Sequence, residues 1–261
     1  MGVPGLPPAQ VGVDAEIAAL KRGVAAIYPV IDGIQPLKEQ AALFVKKFMN
    51  VEVGEKGCIP TVGSMQGTFA AFMAAGFTDA KKDTALFIDP GFPVQKQQMM
   101  VLGLKYESFD VFNYRGEKLK EKLEAILSKG NINSIIYSNP NNPAWICFTD
   151  DELKIIGELA NKYDVIVMED LAYFGMDFRH NLSQPGVPPF QPSVANYTKN
   201  FVLFISSSKI FSYAGQRIGL MIIPEGLYNR EFPALQQRFG SATFGSTIVF
   251  KLLYSFSSGT S

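Results

Sequence analysis

Ser134-Ile-Ile-Tyr-Ser138, then Thr149-Asp-Asp-Glu152 with Leu153, Ile156 and Ala160 behind it, then Asp164-Val-Ile-Val-Met-Glu-Asp170: this stretch decides the fold. Its two ends are short apolar runs of the kind that lie buried on both faces of a sheet. Between them, Thr149 followed three residues later by Glu152 is a capping box, and Leu153, Ile156 and Ala160 share one helical face. A strand, a covering helix and a second strand predict a parallel pair within an α/β domain.

The same alternation extends outward. Further strand candidates are Cys58–Val62, Thr84–Asp89, Tyr106–Val111, Phe201–Ser206 and Gly219–Pro224. Helical spacing recurs in Leu37, Ala41, Phe44 and Phe48 after Pro36, and in Ile17, Leu20, Val24 and Ile27. A helix from about Glu117 carries Leu119, Leu123 and Ile126 on one face, with Gly130 as its stop. The expected architecture is α/β, a seven-stranded mostly parallel sheet sandwiched by helices. Residues 1–10 form a Pro- and Gly-rich N-terminal segment and 11–261 a single large domain.

Composition narrows the function classes. Of 261 residues 47% are hydrophobic and 18% charged, enough apolar material for a sizeable core. Lys plus Arg equals Asp plus Glu at 24 each, so charge makes no case for nucleic acid or an anionic membrane as partner. Cys58, Cys147 and the single His180 form neither a disulfide framework nor a metal-ligand cluster. No run approaches the roughly 20 apolar residues of a membrane span, and residues 1–10 lack a signal peptide's basic and apolar regions. The expectation is a cytoplasmic protein.

Ligands of such sheets sit beyond the carboxyl ends of the strands, so the residues there are the candidate site. Gly63-Ser64-Met65-Gln66-Gly67 feeds a helix and can turn backbone N–H groups towards an anion; an ordinary turn capped by Ser64 is the plain alternative. Asn139-Pro140-Asn141-Asn142-Pro143 is a turn stiffened by two Asn-Pro steps, able to aim Asn142 at a ligand. Glu169-Asp170 places acids at the end of a buried strand, where a carboxylate needs a partner or a cationic ligand atom, and Tyr173 can reach the same space. Ser206-Ser207-Ser208-Lys209 follows another apolar strand, with Arg217 beyond it. Hydroxyls before the lysine and a guanidinium after it make a second anion-binding set, and a partly desolvated lysine is a usable amine nucleophile.

Taken in order, Ser138-Asn-Pro-Asn-Asn-Pro143, Glu169-Asp-Leu-Ala-Tyr173, and Ser206-Ser-Ser-Lys209 with Arg217-Ile-Gly219 resemble the class I/II aminotransferases of fold type I, over nearly the whole chain. The resemblance implies pyridoxal 5′-phosphate as cofactor, an amino acid and a 2-oxo acid as substrates, and a homodimer. It implies that Lys209 carries the cofactor as a Schiff base and shuttles the proton, that Asp170 pairs with the pyridine nitrogen, and that Tyr173 and Asn142 hydrogen-bond the ring oxygen. Phe92 would stack on the ring. Ser64, Met65 and Gln66, with Ser206, Ser208 and Arg217, would surround the phosphate. Tyr28 would reach the neighbouring subunit's phosphate. Opposite charges about 4 Å apart attract by about 4 kcal/mol at an effective dielectric near 20, enough for a carboxylate at Asp170 to keep that nitrogen protonated.

Two departures matter. Where the family has Thr-Gly after the Asn-Pro pair, this chain has Ala144-Trp145, which changes the loop beside the cofactor. The chain is also expected to stop near the end of the large domain, without the small-domain arginine that grips the substrate α-carboxylate; Arg230 and Arg238 lie too early to serve. The same residues would suit a carbon–sulfur β-lyase, another pyridoxal-phosphate lyase or decarboxylase, or a non-catalytic cofactor-binding domain. A nicotinamide-binding domain is disfavoured, since the first strand lacks a Gly-x-Gly-x-x-Gly turn.

Overall fold

The computed structural model describes residues 4–30 and 33–230 of the chain; Arg238 and the rest of the expected domain beyond Arg230 lie outside them. In chain order the elements are α1 (Gln10–Lys21), α2 (Gln35–Met49), β1 (Cys58–Val62), α3 (Gly63–Thr78), β2 (Thr84–Asp89), α4 (Pro93–Leu102) and β3 (Lys105–Asp110). They continue with α5 (Glu117–Leu127), β4 (Ile132–Ser138), α6 (Asp150–Tyr163), β5 (Ile166–Leu171), β6 (Phe201–Ser206), α7 (Ser207–Ile210) and β7 (Ile218–Ile222). The seven strands form one sheet in the order β1-β7-β6-β5-β4-β2-β3. All neighbours from β6 across to β3 are parallel, and β7 runs antiparallel to both β6 and β1.

Alternation along the strands divides the core in two. Ile135, Val167, Leu203 and Ile205 pack with Val45 of α2, Leu123 of α5 and Ile156 of α6 on one face. Ile136, Met168, Val202 and Phe204 pack with Phe72 of α3 and Met99 of α4 on the other. Strands β4, β5 and β6 are buried at every position, as expected for parallel strands covered on both sides.

Three expectations are adjusted. The first helical pattern does not run through to Ile27: α1 ends at Lys21, Gly23 turns at φ 82°, and none of the α1 side chains is buried. In α2 the buried stripe is Ala41, Val45 and Met49, while Leu37, Phe44 and Phe48 sit beside it half-buried. Strand β5 starts two residues late because Asp164 takes a left-handed conformation at the end of α6 and donates its N–H to Ala160. Among the described residues no helix is long and apolar enough to cross a membrane.

The capping box forms as the sequence requires, and is tied to a residue that sequence reasoning passed over. Glu152 accepts from Thr149 N–H at 3.0 Å and returns its own N–H to Thr149 Oγ1 at 3.2 Å. Its carboxylate, almost fully buried, also takes the Arg115 guanidinium at 2.5–2.6 Å and the Gly116 N–H at 3.0 Å. Burial alone pushes the Glu152 carboxyl up, but hydrogen bonds from Arg115, Thr149 and Gly116 outweigh it and bring it down to about 2. Removing one partner of such a pair leaves a charge with no counterion. Arg115→Ala is therefore expected to cost about 3 kcal/mol of unfolding free energy at pH 7, the lower end for a buried pair because the Arg115 side chain is 37% exposed. Urea denaturation of both proteins measures it, and a loss below about 1 kcal/mol would show that Glu152 finds water instead.

Candidate active site

Because β7 is antiparallel to both its neighbours, β1 runs in the same direction as β4, β5 and β6. Val62, Ser138, Leu171 and Ser206 therefore end at one edge of the sheet, where Arg217 leads back into β7. The topology thus gathers at one edge all four motifs that the sequence places after strands.

The turn after β1 is built for close approach. Gly63 is left-handed at φ +66°, and a Cβ there would lie 2.3 Å from the Arg217 guanidinium, so only glycine lets that group lie against the start of α3. Gly63 N–H donates to the Arg217 carbonyl at 2.7 Å, and Arg217 Nη1 donates to the Ala214 carbonyl at 2.9 Å. Ser64 does not cap the helix: α3 has no side-chain cap, and the Ser64 hydroxyl is buried without a hydrogen-bond partner. Gln66 instead accepts from the Val62 N–H at 2.6 Å, so its carbonyl is committed to shaping the turn. An uncapped helix N-terminus, an orphaned hydroxyl and an adjacent guanidinium together fit a phosphate dianion.

The loop after β4 has cis peptide bonds at Asn139-Pro140 and Asn142-Pro143. Two of its three asparagines hold it down. Asn139 Oδ1 accepts from Phe148 N–H at 3.2 Å, and its amide donates to Glu169 at 3.3 Å. Asn141 donates to the Pro90 carbonyl at 2.6 Å and accepts from Ala144 N–H at 3.0 Å, joining this loop to the one that carries Phe92. Asn142 gives its backbone N–H to Ser138 Oγ at 3.1 Å and is half-buried.

The two acids of β5 point to opposite faces. Glu169 is fully buried on the α6 side, taking hydrogen bonds from Ser193 Oγ at 2.5 Å, Val194 N–H at 3.2 Å and Asn139. Burial raises its carboxyl to about 7 against the pull of those donors. Asp170 lies on the α3/α4 side, 5% exposed, and its partners are both neutral: the Gln95 amide at 2.8 Å and the Ala172 N–H at 3.1 Å. Burial raises it to about 6, with those two donors opposing.

Ser206 caps α7, accepting from Ser208 N–H at 3.1 Å and meeting Ser208 Oγ at 2.8 Å. Lys209 places its Nζ 5.6 Å from the centre of the Tyr173 ring, which brings the expected lysine and tyrosine together. Phe92 sits half-buried at the start of α4. Tyr28 is 85% exposed. Gln95 and Gln98 of α4 were not foreseen. Gln98 accepts from Thr68 Oγ1 at 2.8 Å and donates to the Met65 carbonyl at 2.7 Å, fixing the backbone that follows Ser64. Their signal was two glutamines one helical turn apart beside the buried Met99.

The raised Asp170 carboxyl has a measurable consequence. The folded protein holds this proton more tightly than the unfolded chain, so stability from this group is full below about pH 4 and lost as pH rises through 6. A rise from 3.8 to about 6 corresponds to about 3 kcal/mol. In cofactor-free protein, the stability advantage of Asp170→Asn over the parent should grow by about that amount between pH 4 and 7.5. Glu169 is common to both proteins and cancels. An advantage that stays constant with pH in urea melts would show that Asp170 ionises as if exposed.

Comparison with known proteins agrees with this geometry. Residues 2–256 match the family described as aminotransferase class I and II. The chain is 25% identical over 197 residues to an aspartate aminotransferase of Pyrococcus horikoshii, covering 74% of this chain and 46% of that protein. It is 26% identical over 161 residues to the S-alkyl-thiohydroximate lyase SUR1 of Arabidopsis thaliana, covering 61% and 34%. An aspartate aminotransferase structure from Thermotoga maritima superposes with a TM-score of 0.74 at 20% identity, covering 98% of this chain and 65% of the other, a likeness of fold. The chain spans about half the length of the curated relatives it matches. By its sequence match and its seven-stranded sheet, the chain belongs to the class I and II aminotransferase family, whose members depend on pyridoxal phosphate.

Proposed function

We propose that this chain binds pyridoxal 5′-phosphate at the sheet edge through Lys209 and serves the transfer of an amino group between an amino acid and a 2-oxo acid. The observation that carries the reading is Asp170, a carboxylate buried at the end of a central strand with only neutral donors as partners. Isolated buried charge is costly. A protonated ring nitrogen delivered by a ligand removes that cost, and no other cation is bonded to this carboxylate among the described residues.

When bound, the cofactor supplies an electron sink for the negative charge that develops at the substrate Cα. The chain's own residues supply the rest. Asp170 holds the proton on the ring nitrogen, and Gln95 orients the carboxylate for it. Tyr173 and Asn142 would donate to the ring's phenolic oxygen, and Phe92 would cover the ring. With cofactor and substrate bound, the Lys209 amine would take the proton from the substrate Cα. Ser64, the Met65 backbone at the start of α3, Arg217 and the Ser206–Ser208 hydroxyl pair hold the phosphate. Gln66 serves by fixing the turn. We place the protein in the cytoplasm as a homodimer, with Tyr28 reaching the neighbouring site.

A carbon–sulfur lyase on the same residues is the second reading, favoured by one relative's name. Products separate them: a transaminase leaves the amino group on the cofactor, while a lyase releases ammonium. For the anchor, borohydride reduction of cofactor-loaded protein should fix the label on the peptide bearing Lys209, and Lys209→Ala should lose it. Arg217→Ala should weaken cofactor binding about 10- to 100-fold, the worth of one charge-assisted hydrogen bond of about 1.5–3 kcal/mol. Label on a different lysine in the parent protein would overturn the assignment.

A further inference from the structure

Trp145 is the only tryptophan of the chain, and it occupies a backbone position suited to glycine, at φ +57°. A bulky residue in the left-handed region is uncommon and has to be held there. Here the loop does so from both sides: Trp145 N–H donates to the Asn141 carbonyl at 3.0 Å, and the next residue's carbonyl accepts from Asn141 N–H at 2.8 Å. The indole is thereby set edge-on to Tyr173, with ring centres 5.4 Å apart, and stacked with Phe178 at 6.2 Å and 17° between planes. Tyr173 is the ring that the Lys209 amine faces. The indole is therefore one aromatic ring removed from the reactive amine, while Trp145 stays 43% exposed and Phe178 81% exposed.

From this we infer that Trp145 and Phe178 form an aromatic wall that selects amino acids and 2-oxo acids with aromatic side chains; the inference rests on the cofactor reading above. A substrate whose Cα lies at the Lys209 amine projects its side chain by about one ring length, and rings attract over centre distances of about 4.5–7 Å. Among the described residues flanking Phe178, an acidic side chain finds no comparable partner. The charged residues flanking Phe178 satisfy each other, Arg179 Nε and Nη2 meeting the Asp177 carboxylate at 2.8 and 2.6 Å. The carboxylate of Asp177 is buried in that pair, so the guanidinium is already committed.

The test uses two stable ligands, phosphopyridoxyl-L-phenylalanine and phosphopyridoxyl-L-alanine, which share the cofactor half and differ only in side chain. Binding to the cofactor-free protein is followed by Trp145 emission and by calorimetry. Both ligands should bind and quench the emission, the phenylalanine form about tenfold more tightly. Phe178→Ala, and Trp145→Gly followed by calorimetry, should each erase most of that preference while leaving the alanine form's affinity within about twofold. Glycine suits the left-handed backbone, so the second variant is not expected to misfold. Equal affinity of the two forms for the parent protein would overturn the wall and leave the cofactor reading standing, as would a preference that survives both substitutions. Failure of both ligands to bind would overturn the cofactor reading and the wall together.

Discussion

Strands β4, β5 and β6 are sealed on both faces from end to end, so a polar group they carry is costly unless a partner answers it. That constraint concentrates polar chemistry where the strands stop. It also makes the edge diagnostic, because few buried polar groups among the described residues go unanswered: the Ser64 hydroxyl at the edge, and away from it Asn131 Oδ1 and the Tyr137 hydroxyl.

Most of the edge is satisfied internally. Asn139 ties the loop after β4 to Glu169, Asn141 ties it to Pro90, and Ser193 and Val194 complete the shell of Glu169. These contacts cross between loops far apart in the chain, so they lock the loops' relative positions. Gln98 does the same for the turn after β1 by holding the Met65 carbonyl. Against that frame two groups are conspicuous. Asp170 has donors but no cation, and the Ser64 hydroxyl has no partner. They lie beside different strands of the same edge, one fit for a cationic ring atom and the other for an anion, and Lys209 belongs to a third strand end between them in the sheet order.

The Trp145 position shows how such a frame tolerates strain. A non-glycine residue in the left-handed region costs about 1–3 kcal/mol and persists only where its surroundings over-determine it. Backbone bonds through Asn141, with rings on either side, meet that condition. Asn139 and Asn141 anchor the loop, and that anchoring is what lets a large side chain stay at a left-handed position.

Much of this was legible in the residues. Apolar runs of strand length, the capping box at Thr149 and Glu152, and small or polar residues after each run determine the α/β class and the candidate site, because these patterns depend on local spacing and on which side chains can be buried. All seven strands lie within two residues of their expected positions at each end. The start of β5 slipped because Asp164 was free to adopt a left-handed conformation that spacing does not encode. What only the tertiary structure decided were partnerships across the fold: Arg115 with Glu152, Gln95 with Asp170, and Gln98 with Met65. α1 marks the same boundary from the other direction. Its periodic apolar residues establish a helix, yet none is buried against the described residues. Periodicity reports the shape of a segment, whereas burial depends on what other parts of the chain bring to meet it.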